Sequence, residues 1–229
     1  VSLSNNTEKM GSILVAGPRA QAILEGVAGR ALSEDAFPWG VARDVDLGMA
    51  RATALRFTAF GEDGWELHVP APSLAPLYDA LMRAGAAHGL GDVGLRAQEA
   101  LQLEAGFPRE GWDFDTTTTL AEAGFGRLVD GNIGADAAKT SARRVVRLAI
   151  EPGEADPYLN DAVLDGDRTV GLVASGWHDR TGKGVAFASV PAELAATGRT
   201  LGVEILGKLC TATVVGVPFD GVRLPGDGG

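Results

Sequence analysis

Apolar residues fall along this chain in two rhythms, and the switches between them mark out the elements. MGSILVAG is a short apolar run closed by Gly17-Pro18, after which Ala20, Ile23, Leu24 and Val27 recur at helical spacing. Strand, turn and helix are predicted in that order, with Pro18 at the first helical position. VARDVDLG and ATALRFTAF, then WELHVP, read as antiparallel strands, the last two closed by the loop GEDG. Leu74, Leu77, Tyr78, Leu81 and Met82 form one stripe, which predicts a helix capped by Ser73 and ended near Gly85 or Gly89. GLRAQEALQLEAG predicts a shorter helix with Gly106 just beyond its end.

From Phe107 to about Ala142 the pattern loosens into polar, glycine-spotted sequence, which is read as a connector over 107–142. Beyond Arg143 short strands follow at regular spacing: RVVRLAIEP, AVLDGDRTVGLVASG with an Asp-Gly turn, GVAFASVP, LGVEILG and LCTATVVGVPF. They predict a small barrel or sandwich. The expected class is α+β: an antiparallel sheet with packed helices over residues 1–142, then a β domain over 143–224.

Composition narrows the functions this architecture can serve. With 45% hydrophobic residues in 229, the chain can bury a core of useful size. A formal charge of −10 opposes an electrostatic grip on phosphate backbones or anionic membranes, so neither nucleic acid nor membrane is an expected partner. No apolar run approaches the ~20 residues of a membrane span. Cys210 is the single cysteine, which rules out an intrachain disulfide and points to a reducing compartment, by default the cytoplasm. The chain begins with Val1 rather than methionine, which suggests a processed, trimmed or excised product.

Candidate chemistry gathers in WELHVP. A period of two sends Trp65, Leu67 and Val69 to one face and Glu66 and His68 to the other, and a GEDG loop would set Ala59 opposite Glu66. Three readings of the Glu66 face follow: a solvated polar surface, a pocket whose carboxylate accepts N–H bonds from a heterocycle, or a Glu–His acid/base pair. The last is disfavoured, because i, i+2 neighbours on a strand sit roughly 7 Å apart. His68, His88 and His178 show no metal-binding spacing, and no metal site is expected. Cys210 reads as a thiol buried in an apolar strand. SGWHDRTGKG fails the spacing of a phosphate loop, and DFDTTTT reads as a loop held by local side-chain to backbone bonds.

Taken together, LVAGPRAQAILE, LRFTAFGEDGWELHVP, LYDAL, GLRAQEALQLEAG, DFDTTTTLAEAGFG, VGLVASG and VVGVPF resemble, in order, the glycine-cleavage T-protein superfamily. That superfamily includes the aminomethyltransferases and the folate domains of dimethylglycine and sarcosine dehydrogenases. The resemblance implies a tetrahydrofolate-binding domain followed by a small C-terminal β-barrel. It implies transfer of a one-carbon unit from a small-molecule amine or imine donor to N5 of tetrahydrofolate, with a dehydrogenase as a possible supplier. Glu66 falls on the glutamate that bonds the pterin in relatives, with Trp65 packed beneath or beside it.

Three departures accompany the resemblance. Ala59 stands where relatives often carry tyrosine, and Gln98 and Gln102 stand where they carry arginines, so Gln98 is expected as a neutral second contact. Relatives also carry a long segment before the GPRA-like stretch, including the aspartate assigned as acid/base. The catalytic residue is therefore left unassigned: that segment has been removed, or a complementing N-terminal segment or subunit supplies it, or the chain is a truncated relative that no longer performs the transfer. The alternative is a catalytically inactive homologue that keeps the fold as a binding or interaction module.

Overall fold

The computed structural model describes residues 1–57, 60–125, 141–151, 153–179 and 182–219. These fall into two compact units, 1–93 and 94–219, each with its own core.

The first unit holds a four-stranded antiparallel sheet. Its strands are β1 (Met10–Ala16), β2 (Ala42–Leu47), β3 (Ala50–Phe57) and β4 (Gly64–Pro70), in the order β1-β4-β3-β2. Helices α1 (Ala20–Ala28) and α2 (Leu74–Gly85) cover one face. The period of two works as expected on that face: Trp65, Leu67 and Val69 are buried, and meet Val15, Ala52, Ala54 and the helix residues Leu24, Leu77 and Leu81. Phe37, from the loop after α1, sets its ring edge-on to Trp65 with centroids 4.8 Å apart.

Two helix starts differ from expectation. α1 begins at Ala20 behind Arg19, so Pro18 lies just outside it rather than at its first position. Ser73 makes no side-chain capping bond, because a turn of 3₁₀ helix over Ala71–Ser73 already holds it in helical backbone geometry.

The β3–β4 connection also differs. The ladder ends at Phe57 opposite Gly64, so the loop is longer than GEDG and the strand partner of Glu66 is Leu55, not Ala59. Two causes are visible. Gly64 lets the Phe57 carbonyl come closer than a side chain would allow, and Asp63 folds back onto Arg56, which takes the turn residues out of the ladder. Ala59 itself lies outside the described residues.

The second unit is a closed six-stranded barrel, which decides between barrel and sandwich. Its strands are β5 (Arg143–Ile150), β6 (Ala162–Asp165), β7 (Arg168–His178), β8 (Gly184–Pro191), β9 (Thr200–Ile205) and β10 (Lys208–Gly216), ordered β10-β5-β8-β7-β6-β9. The Asp-Gly turn closes β6 and β7 at Asp165 and Arg168, with Gly166 at φ 60°. Val146, Leu148, Ala186, Ala188, Val203 and Val214 fill the interior. Cys210 on β10 shares the inward side of Ala212 and Val214 but is only partly buried against this core, short of the full burial read from its strand, because it lies near the strand's first residue, where Lys208 and Leu209 are exposed.

Helix α3 (Leu95–Ala105) packs outside the barrel against β7 and β8. Leu103 joins Val145, Phe187 and Ala123 in a second apolar cluster there. Gly106 ends the helix in left-handed geometry at φ 80°, and Arg147 donates to the Glu104 carbonyl at 3.2 Å, a cation at the negative helix end. The described part of the expected connector, 107–125, lies against the same side, through the edge-on contacts Phe107–Phe219 and Phe125–Phe219 and the tilted pair Phe114–Phe125.

Candidate functional site

On the uncovered face of the first sheet, register places side chains in rows across the strands. One row runs Leu14, Glu66, Leu55, Ala42, and the next runs Ser12, His68, Thr53, Asp44. Glu66 is thus a carboxylate on an interior strand, flanked on both sides by leucines. Its side chain is 33% exposed, between full solvation and burial. Such a group keeps acceptor capacity for a ligand while its neighbours supply apolar area.

His68 meets Glu66 directly: Nε2 lies 3.2 Å from Oε1. This corrects the expectation that the pair stands out of reach. The spacing of roughly 7 Å applies to the backbone positions of i, i+2 residues, whereas two long side chains leaning together close that gap. At the edge of the same face Asp44 accepts from Thr53 at 2.9 Å and pairs with Arg51 at 3.2 Å, and these bonds, Thr53 first, hold its carboxyl below the usual range.

Beneath the site lies a buried cation that sequence reading missed. Arg56 is 5% exposed on the core face, opposite Trp65, and its guanidinium sits 5.2 Å from the Trp65 ring centre. Asp63 grips it at two points, 3.0 and 3.1 Å, and the Phe37 carbonyl accepts a further bond at 2.9 Å. The signal was present: the period of two that buries Ala50, Ala52 and Ala54 also points Arg56 inward, which requires a nearby carboxylate. Trp65 is itself fully buried, on the opposite side of the sheet from Glu66.

In the second unit Gln98 is half-buried on α3 and Gln102 is buried. A charge chain occupies that helix's next face. Glu99 accepts from Arg96 and Arg109, each at 3.2 Å; Arg109 reaches Asp113; and the Ser175 hydroxyl donates to Asp113. Among the described residues no cluster suits a metal ion.

The comparisons with known proteins match both parts of this architecture. Residues 1–132 match the GCVT N-terminal domain, and residues 143–220 match the glycine cleavage T-protein C-terminal barrel domain. The chain belongs to the glycine cleavage T-protein family. Mitochondrial dimethylglycine dehydrogenase of Mus musculus is 34% identical over 96% of this chain, which covers 26% of that protein. The aminomethyltransferase of Synechococcus elongatus is 35% identical over 96% of the chain and 60% of its own length. The crystal structure of glycine cleavage system aminomethyltransferase T from Bartonella henselae superposes with a TM-score of 0.75 at 25% identity, covering 93% of this chain and 61% of that one.

The chain thus spans about a quarter of the dehydrogenase and about three fifths of the transferases. The T-protein match to 1–132 takes in the Glu66 strand and also α3, whose packing is with the barrel strands. No described helix is long and apolar enough to cross a membrane.

Proposed function

We propose that this chain binds tetrahydrofolate on the open face of the first sheet, as part of a protein that transfers one-carbon units from an amine or imine donor. The observation that carries the reading is Glu66, a half-exposed carboxylate between Leu14 and Leu55 in a T-protein family chain. Both carboxylate oxygens are acceptors, which suits the adjacent N–H groups of a pterin edge. The leucines supply apolar contact for its ring. Bound tetrahydrofolate supplies N5 as the atom that receives the one-carbon unit.

The chain's own residues hold and orient. Glu66 accepts the N–H bonds, and His68, 3.2 Å away, fixes the carboxylate's position. Trp65 supports the strand from beneath through the Arg56 and Phe37 contacts. Of the other contacts expected from the resemblance, Gln98 lies in the second unit and Ala59 outside the described residues, and the proposed face is built without them. The acid/base group comes from a further segment or subunit, with a dehydrogenase as the source of the donor. The division into a folate domain over 1–142 and a barrel over 143–224 belongs to this reading, as does a reducing compartment such as the cytoplasm.

Calorimetric titration of the full chain with tetrahydrofolate tests it. Saturable binding is expected, weakened about tenfold in Glu66→Gln, the loss of one charge-assisted bond. Absence of saturable binding to the wild-type chain would refute the reading in favour of an inactive binding module. Binding indifferent to Glu66→Gln would move the site elsewhere.

A further inference from the structure

A cavity of about 290 Å³ opens within the barrel unit between α3, the 109–112 turn, the 158–159 loop and β7. Its volume lies at the small end of ligand pockets, enough for one or two fused rings. Leu103, Leu159, Trp112 and Trp177 give it apolar and aromatic walls. Arg96 and Arg109 supply its charge, each guanidinium set against an indole, Arg109 at 5.2 Å from Trp112 and Arg96 at 6.0 Å from Trp177.

The hydrogen-bond inventory shows what kind of polar group is missing. Both Glu99 oxygens are engaged, one by each arginine. Asp113 is also fully engaged: one oxygen takes the Arg109 backbone N–H and Nε, the other the Ser175 hydroxyl. Each arginine has five N–H donors. Arg109 uses Nε and Nη1, and Arg96 uses Nη1, so among the described residues donors remain on Nη2 of both and on Nε of Arg96. The surplus is of donors, in planar fork geometry, beside aromatic walls.

We propose that this cavity binds a compact aromatic carboxylate, with its ring along Trp112 and Trp177 and its carboxylate on the free guanidinium N–H groups of Arg96 and Arg109. A ligand cation is disfavoured, because two fixed guanidinium groups already stand against the indoles. The site lies wholly in the barrel unit, and its argument does not draw on Glu66.

Naphthoate and its neutral counterpart naphthamide test the proposal, titrated into the isotope-labelled full chain while the four indole N–H resonances are followed. Trp112→Phe and Trp177→Phe assign the two wall indoles. Saturable shifts at Trp112 and Trp177 are expected with naphthoate, with naphthamide about tenfold weaker. Arg96→Gln should weaken naphthoate about tenfold, and because Arg96 is 65% exposed the fold should tolerate it. Glu66→Gln should leave naphthoate binding unchanged. Shifts that are absent, that are confined to Trp39 and Trp65, that are equal for acid and amide, or that vanish in Glu66→Gln would each overturn the proposal.

Discussion

Gly64 carries no side chain because the Phe57 carbonyl oxygen stands 2.7 Å from where a Cβ would be. That approach ends the ladder and lets Asp63 turn back to Arg56, so three residues together fix where Glu66 begins its row. The pair Arg56–Asp63 is therefore a structural clamp under the candidate site. Asp63→Ala would strand a buried guanidinium and is expected to cost roughly 2–3 kcal/mol. Denaturant unfolding reads this, and an unchanged midpoint would show that the clamp carries no stability. Glu66 was legible as a candidate because strand alternation needs only local sequence. Its partner Leu55 was not, since register depended on how Asp63 and Gly64 shape the turn.

Elements were legible where one period dominated. The four strands of the first sheet, the stripe of α2 and the barrel strands all follow from spacing, because each buries one face against a core. The stretch 107–125 lacks such a period, and its place comes from separate anchors: the Phe114–Phe125 pair, Asp113 on Ser175, and turns built by side chains. One such turn is open to test. Asp115 accepts from the hydroxyl and the backbone N–H of Thr117, the hydroxyl first, and both lower its pKa below the ordinary 3.8. A carboxyl depressed in the folded state contributes stability above its unfolded pKa and loses it as pH falls through the folded value. Thr117→Ala should move the Asp115 midpoint upward toward 3.8, followed by carboxyl carbon shifts in a pH titration. An unmoved midpoint would mean that the hydroxyl is not the cause.

At the scale of the whole molecule, two cores organise the chain, one around Trp65 and one inside the barrel. Trp65→Ala removes a fully buried ring and should cost about 3–5 kcal/mol. Hydrogen exchange should then quicken in β1 to β4 while β5 to β10 stay protected; equal loss in both would contradict separate cores. The family match places this two-core chain in the glycine cleavage T-protein family, and the open face of the first sheet is where the proposed function becomes a physical claim. The most direct measurement follows the methyl resonances of Leu14 and Leu55, which flank Glu66, during a titration of the full chain with tetrahydrofolate. Saturable shifts of both methyl sets, lost or weakened in Glu66→Gln, are the predicted result. Leu14 and Leu55 signals that stay fixed while the ligand binds, or the absence of any binding, would contradict it.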